Sequence, residues 1–146
     1  ATGWKTGYCV APENLMAEFR KVHQFMVFSV NTPIQMALSD FMDDASNYTG
    51  INTFYQQKRD HFLKLIKDSR FKPLPCSGSY FQLLDYSKIS DEKDTDFAIR
   101  VTKEFGVAAI PISVFYKNPV DLKVLRFCFA KENETLEKAA EKLCAI

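Results

Sequence analysis

The pattern of apolar and polar positions along the chain predicts a mixture of helices and short strands. Apolar residues recur three and four positions apart in several stretches, which is the spacing of one helix face. This spacing predicts helices over about 13–25, 32–43, 52–69, 94–105 and from 133 to about 143. Runs of apolar, β-branched or aromatic residues predict strands at 7–11, 80–86, 107–110 and 124–129, with an irregular or edge strand at 71–75, where two prolines interrupt the run.

Polar and special residues mark the ends of several predicted helices. Thr32–Gln35 reads as a capping box, with Thr32 as N-cap, proline at the first helical position and Gln35 reaching back. Asp94 and Asn133 are predicted N-caps, and Gly106 is predicted to end the helix that Asp94 begins.

The distribution of the elements predicts two parts, of which only the second can fold as a domain by itself. The first part, to about residue 49, contains a single strand, which cannot form a sheet by itself. Residues 50–146 contain three or four strands and enough helix for a compact domain, so the predicted fold class is α/β or α+β. The first part also carries the apolar run Phe25–Val30, which suggests contact with another domain or subunit. Because the first part cannot bury its own apolar surfaces, we expect the chain to be the end of something larger.

Composition narrows the classes of function. The chain has 146 residues, 47% of them hydrophobic and 25% charged, which is typical of a globular domain. A net charge of +1 without a basic cluster disfavours nucleic acid or an anionic membrane as partner. Its four cysteines form no CxxC pair, which favours reduced and mostly buried thiols in a cytoplasmic protein. With two histidines, neither near a cysteine or carboxylate cluster, no metal site is expected.

Arg126 interrupts the most apolar of the predicted strands. Side chains alternate along a strand, so Arg126 shares a face with Val124 and Cys128, while Leu125 and Phe127 point the other way. A guanidinium does not lose its proton in proteins, and leaving it buried and unpaired is costly. We therefore expect an anion beside Arg126, and the pattern leaves open whether this is an internal carboxylate or a ligand.

Lys5 is the second candidate for binding an anion. It lies between Gly3 and Gly7 at the start of the first predicted strand, where an ammonium group and backbone N–H groups can meet a phosphate. A surface lysine in a turn has the same pattern. The motif alone leaves both interpretations open.

Four blocks of the sequence, in order, resemble the class I/II aminotransferases, the fold-type-I enzymes that depend on pyridoxal 5′-phosphate (PLP). Thr2–Tyr8 (TGWKTGY) resembles the segment after the cofactor lysine, and Val27–Gln35 (VFSVNTPIQ) resembles the start of the interdomain helix. Gly106–Phe115 (GVAAIPISVF) is similar to a loop of the small domain, and Leu125–Ala130 (LRFCFA) to the strand that carries a carboxylate-binding arginine. Within this family the sequence most resembles the branch of methionine and kynurenine–glutamine aminotransferases, in which Lys and not Arg follows Gly-Trp.

The resemblance implies the PLP-dependent transferase fold, with residues 1–49 as the end of the large cofactor domain and the start of the interdomain helix. Residues 50–146 then form a C-terminal α+β small domain. It implies that Lys5 pairs with the cofactor phosphate, that Arg126 binds the substrate α-carboxylate, and that Phe28 reaches a substrate pocket, that of the neighbouring subunit. The Schiff-base lysine of the family is expected upstream of this chain, so no catalytic residue is assigned in it.

The function implied by the resemblance is a cytoplasmic, homodimeric aminotransferase that acts on an α-amino acid, of methionine or aromatic type, and a 2-oxo acid by a ping-pong mechanism. The 146 residues alone are expected to be inactive. Two alternatives remain: a PLP-dependent carbon–sulfur lyase of the same fold, similar to cystathionine β-lyase, and a non-catalytic module that binds a partner through Phe25–Val30.

Overall fold

The computed structural model describes residues 2–118 and 120–146, and the chain divides into two compact units after Gly50. In its described residues, the first unit consists of helices without a sheet. A short 3₁₀ turn at Thr2–Trp4 precedes helices α1 (Glu13–Met26), α2 (Thr32–Asp43) and α3 (Ser46–Thr49). The predicted first two helices are confirmed. The identity of the units as parts of a large and a small domain stays a prediction.

The predicted strand at residues 7–11 is wrong, because this segment has no secondary structure. A strand needs a partner for its backbone N–H and C=O groups, and no other strand lies in the described part of the first unit. None of the three helices in this unit has a buried side chain. Apolar residues such as Phe25 and Phe28 are more than four-fifths exposed. The described part of the first unit therefore has no core of its own.

The start of α2 lies one residue from the predicted position. Asn31, and not Thr32, is the N-cap, and its Oδ1 accepts a hydrogen bond from the Ile34 N–H at 3.2 Å. Gln35 reaches back as predicted, but its Nε2 donates to the Val30 carbonyl at 3.0 Å. Asparagine is at least as good an N-cap as threonine, which explains the shift.

The second unit contains the sheet and most of the predicted elements. Helix α5 continues into a turn of π-helix at Val101–Phe105, and Gly106 ends it with φ of 66°, a conformation that glycine adopts without strain. Helix α4 stops short of the predicted Ser69, whose hydroxyl donates to the Ile66 carbonyl at 2.7 Å. The elements are α4 (Ile51–Leu65), β1 (Lys72–Pro73), β2 (Phe81–Asp85), α5 (Asp94–Arg100), β3 (Ile110–Pro111), β4 (Val124–Cys128) and α6 (Asn133–Cys144).

The predicted N-caps Asp94 and Asn133 are instead the first residues of α5 and α6. Their side chains accept hydrogen bonds from residues that are distant in sequence. Lys93 precedes α5 without a side-chain cap, and the Asp94 carboxylate binds Ser113. The Asn133 Oδ1 accepts from the Lys58 Nζ at 2.7 Å. In both cases a distant donor replaces the local backbone N–H, so the cap assignments are wrong.

The sheet has the order β1-β2-β4-β3 with antiparallel pairing throughout. Gln82 lies opposite Phe127 and Leu84 opposite Leu125, and these four residues face the core. The core cluster also contains side chains from α4, α5, α6 and the residues that directly follow α4 and α5, so the helices cover one face of the sheet: Phe62, Ile66, Phe97, Ala98, Val101, Leu136, Ala140 and Leu143. An antiparallel sheet with helices on one face is an α+β arrangement, as predicted for this part.

The cysteines are free thiols, but they are less buried than predicted. Cys9 and Cys144 are exposed, and Cys76 and Cys128 are half-buried. Cys9 is exposed because the segment around it has no strand partner. Within residues 2–118 and 120–146 there is no group of three or more potential metal ligands. In the same residues, no helix combines the length and the apolar character needed to cross a membrane.

Candidate functional site

Arg126 lies on β4 and points away from the core face of the sheet. Its backbone lies opposite Leu83 of β2 on one side and Ile110 of β3 on the other. The neighbours of Arg126 along the strand, Leu125 and Phe127, are buried in the core, whereas Arg126 is half-buried. The alternation predicted for this strand is confirmed.

The guanidinium of Arg126 contacts two aromatic rings. Its Cζ lies 4.1 Å from the centroid of the Phe81 ring and 5.0 Å from that of Phe115. Phe81 lies two residues before Leu83, the residue opposite Arg126, so it is the diagonal neighbour of Arg126 on the same face of the sheet. Long side chains can make contact across this diagonal. The sequence reasoning missed both rings, and only the pairing of β2 with β4 reveals the first.

Arg126 has no internal counter-ion among the described residues. No carboxylate lies within 4.0 Å of its guanidinium. Its Nε is buried and has no hydrogen-bond partner. The internal ion pair that the sequence left open is therefore absent from this part of the chain. The arrangement is suited to bind a carboxylate, which arginine grips with two parallel hydrogen bonds.

A buried pair of side chains anchors the turn that carries Phe115. Asp94 and Ser113 are 2% and 7% exposed. The Ser113 backbone N–H donates to Asp94 Oδ2 at 2.7 Å, and the Ser113 hydroxyl donates to Oδ1 at 2.6 Å. Ser113 begins the short 3₁₀ turn Ser113–Phe115, which the Tyr116 N–H closes by donating to the Ser113 carbonyl. The start of this loop is thereby fixed to α5.

Lys123 anchors the other end of the same loop. Its Nζ donates to the carbonyls of Asp91 and Glu92 at 2.7 and 2.9 Å and lies 2.7 Å from the Asp121 carboxylate. Its own backbone has a positive φ of 56°, which a non-glycine residue adopts only when its surroundings hold it there. The hydroxyl of Tyr86, whose pKa is raised by burial and then by the carboxylate of Asp121, donates to the Glu92 carbonyl. The loop from 113 to 123 is therefore held at both ends.

Lys5 follows the first 3₁₀ turn and has a left-handed backbone, with φ of 54°. Its side chain is exposed and has no carboxylate within 4.0 Å among the described residues. A Cβ added to Gly3 or Gly7 would meet nothing within 4 Å, so the space beside Lys5 is open. These features fit an anion such as phosphate, for which exposed backbone N–H groups and an ammonium group are suitable partners.

Phe28 has an unusual backbone for an aromatic residue. Its φ is 63°, its side chain is 87% exposed, and its N–H donates to the His23 carbonyl at 3.3 Å where α1 ends. Glycine usually occupies such a position, and the left-handed conformation costs another residue about 1–2 kcal/mol. Strained residues of this kind cluster at functional sites. The sequence pointed to Phe28 through the resemblance, and the structure adds this strain.

The three candidate residues fall in different units. Lys5 and Phe28 belong to the first unit, and Arg126 belongs to the second together with Phe81 and Phe115.

The family model and the most similar curated proteins agree on one family. The model of the family "Aminotransferase class I and II" matches residues 1–143. The methionine aminotransferase of Escherichia coli K12 is 51% identical over 143 residues, covering 97% of this chain and 37% of the relative. Kynurenine–oxoglutarate transaminase 1 of Mus musculus is 32% identical, covering 99% of this chain and 39% of the relative.

Solved structures agree with the sequence comparison. The structure of YbdL from Escherichia coli, identified as a methionine aminotransferase, superimposes with a TM-score of 0.92 at 50% identity, covering 99% of this chain and 38% of that one. N-succinyldiaminopimelate aminotransferase of Mycobacterium tuberculosis gives a TM-score of 0.86 at 29% identity and the same coverage. The chain thus spans about two-fifths of the length of these relatives. With a family model that matches nearly all of its residues, the chain belongs to the class I and II aminotransferase family and has the corresponding part of the fold.

Proposed function

We propose that this chain is part of a PLP-dependent aminotransferase that transfers the amino group of an α-amino acid, of methionine or aromatic type, to a 2-oxo acid in two half-reactions. The family and the names of the relatives support the reaction class. The observation that carries the proposal is Arg126, a guanidinium held between strands with no carboxylate partner among the described residues.

Arg126 would bind the α-carboxylate that amino-acid and 2-oxo-acid substrates share. A bidentate contact fixes both the position and the rotation of the carboxylate, and therefore the direction in which the amino group points. The same contact serves both half-reactions, because the carboxylate is unchanged when the amino group leaves. This explains how one arginine can recognise donor and acceptor.

Lys5 would hold the phosphate of the cofactor. Its exposed ammonium group, open surroundings and lack of a carboxylate partner in the described residues fit that role. When bound, PLP supplies the electron sink that the amino-group exchange requires. In this proposal the residues of this chain contribute binding and orientation.

Phe28 would line the substrate pocket of the neighbouring subunit of a homodimer. Its exposed ring and its strained backbone support a position that is maintained for contact with another molecule. The four free thiols are consistent with a reducing, cytoplasmic environment. An apolar ring in the pocket would favour donors with large apolar side chains.

The two alternatives have less support. The relatives compared above are named as aminotransferases or transaminases, which favours the transferase reaction. Product analysis separates the two reactions: a 2-oxo acid matched by a new amino acid identifies a transferase, and ammonia with a thiol from cystathionine identifies a lyase.

The proposal is tested by replacing Arg126 in the full-length protein. Arg126→Ala should raise KM and lower kcat/KM for an α-amino acid tenfold or more, because a charge-assisted hydrogen bond is worth about 1.5–3 kcal/mol. Arg126→Lys should recover part of the loss, since lysine keeps the charge without the two-pronged geometry. Unchanged kinetics in Arg126→Ala would remove Arg126 from the site.

The role of Lys5 is tested by cofactor titration. Lys5→Ala should weaken cofactor binding to the apoenzyme. The control is Lys21→Ala, an exposed lysine of the same unit that already pairs with Glu18 at 2.7 Å. If Lys5→Ala binds the cofactor as tightly as this control, Lys5 does not hold the phosphate.

A further inference from the structure

The guanidinium of Arg126 lies against two aromatic rings. Most of the other arginines with side-chain contacts donate to oxygen atoms, as Arg100 does to Glu92 and Arg59 does to the Cys76 carbonyl. For Arg126 no such partner exists among the described residues, and its close contacts are the rings of Phe81 and Phe115. A long, flexible side chain with no oxygen partner needs another cause for a fixed orientation.

Two independent parts of the fold supply these rings. Phe81 comes from β2, where the register with β4 places it diagonally across from Arg126. Phe115 comes from the turn that Ser113 ties to the buried Asp94 carboxylate. The sheet fixes the position of one ring and the anchored turn fixes that of the other. Because neither position depends on Arg126, the rings can restrict the orientation of the guanidinium.

Aromatic contacts leave the hydrogen-bonding groups of an arginine free. A guanidinium is attracted to the face of a ring through its charge, and this contact uses none of its N–H groups. A carboxylate partner would instead neutralise the charge and occupy the same N–H groups that a substrate needs. The buried Nε cannot serve a ligand from solvent, so the two terminal nitrogens are the groups that remain.

We propose that Phe81 and Phe115 are positioning residues of the carboxylate site, whose rings orient the Arg126 guanidinium so that its terminal nitrogens meet the substrate carboxylate. This inference rests on the proposed function, because it assigns the anion of Arg126 to a substrate. Neither ring takes part in the chemistry. Their contribution is to substrate affinity, which predicts an effect on KM with little effect on kcat.

The first test compares a substrate that has the carboxylate with one that lacks it. In the full-length holoenzyme, Phe81→Leu and Phe115→Leu should each lower kcat/KM for methionine by roughly three- to tenfold, mainly through KM. For the corresponding amine without a carboxylate, 3-(methylthio)propylamine, kcat/KM should be unchanged. A general structural role would lower both values by the same factor and would overturn the proposal.

Two further variants separate orientation from packing. Phe115 is 60% exposed, so Phe115→Leu should retain the melting temperature of the wild type, and Phe115→Tyr, which keeps the ring, should retain its KM. In an Arg126→Ala background, Phe115→Leu should cause no additional loss, because its effect acts through Arg126. An additional loss of the same size as in the wild type would contradict the proposal.

A binding experiment distinguishes this proposal from the proposed function. Calorimetric titration with 3-phenylpropanoate, and with its amide as control, measures recognition of the carboxylate without any reaction. The wild type should prefer the carboxylate, and Phe81→Leu and Phe115→Leu should lower that preference roughly three- to tenfold. If the leucine variants lower the preference but the wild type transfers no amino group, the proposed function fails and the positioning role stands. If it transfers amino groups while the leucine variants keep the full preference, the positioning role fails.

Discussion

The carboxylate of Asp94 accepts two hydrogen bonds from Ser113, one from its backbone N–H at 2.7 Å and one from its hydroxyl at 2.6 Å. The two residues are nineteen positions apart in sequence and both are buried. Hydrogen bonds to a charged group are stronger than those between neutral groups, and a buried oxygen that loses its donor is costly. This pair therefore joins the loop that carries Phe115 to the core.

Ser113→Ala should lower the free energy of unfolding by about 1–3 kcal/mol, because one carboxylate oxygen of Asp94 loses its hydroxyl donor. Urea denaturation measures the change. Ser77→Ala is the control, since Ser77 is exposed, and a surface substitution of this kind should stay within about 0.5 kcal/mol. Equal stability of the two variants would show that the hydroxyl contributes nothing.

The backbone strain at Phe28 is measured by comparing glycine with alanine at this position. Phe28→Gly and Phe28→Ala both remove the ring, but only alanine keeps a Cβ in the left-handed conformation at φ of 63°. The glycine variant should therefore be more stable than the alanine variant by about 1 kcal/mol in thermal or urea unfolding. Both should show the same loss of activity toward large apolar amino acids. An alanine variant as stable as the glycine variant would mean that the residue is not strained in the intact protein.

Acid should destabilise the protein partly through Glu92. The Arg100 guanidinium, followed by the Ser90 hydroxyl, holds the pKa of the Glu92 carboxyl below its ordinary value of 4.5. A carboxyl with a lowered native pKa stabilises the fold above its ordinary pKa. That contribution is lost as the pH falls from about 4.5 through the native value. Glu92→Gln should therefore be less stable than the wild type at neutral pH and lose less stability on acidification.

Melting temperatures between pH 7 and pH 3 test this expectation. The effect should be small, because the Glu92 side chain is 37% exposed and solvent screens the interaction. The control is Glu134→Gln, which removes an ion pair of similar length, 2.6 Å, but at a side chain 77% exposed. If both variants give the same pH dependence, the contacts of Glu92 do not contribute to acid sensitivity.

The two units should differ in their ability to fold alone. A fragment of residues 51–146 has its own sheet and a continuous apolar core, and it should unfold cooperatively with a near-ultraviolet circular dichroism signal. A fragment of residues 1–50 has no buried residue in its described part and should show no cooperative transition. A cooperative transition in the shorter fragment, or its absence in the longer one, would contradict this expectation.

The sequence predicted the elements whose signals are local. Apolar periodicity identified the helices α1, α2, α4, α5 and α6, and a continuous apolar run identified β4 together with the alternation that turns Arg126 away from the core. The strand at 7–11 failed because strand formation depends on a partner that the described residues of the first unit do not contain. Cap assignments failed at Asp94 and Asn133 because distant donors compete with the local backbone.

The surroundings of Arg126 could not be predicted from the sequence. The contact with Phe81 depends on the register between β2 and β4, and the contact with Phe115 depends on a loop that has no periodic pattern. That Arg126 has no counter-ion among the described residues is likewise a property of the tertiary structure. The strand pattern identified the arginine and the resemblance to a family implied the anion that it binds, but the rings beside it became visible only in the folded chain.

Arg126 also constrains how the sheet can assemble. β4 is an inner strand that pairs with β2 on one side and β3 on the other. If β4 slipped by one residue, its side chains would exchange faces, and the guanidinium would point toward Leu84 and Tyr86, which are fully buried. A charged arginine among those apolar side chains would be strongly unfavourable. The residue proposed to recognise the substrate therefore also selects the correct pairing of the strand on which it lies.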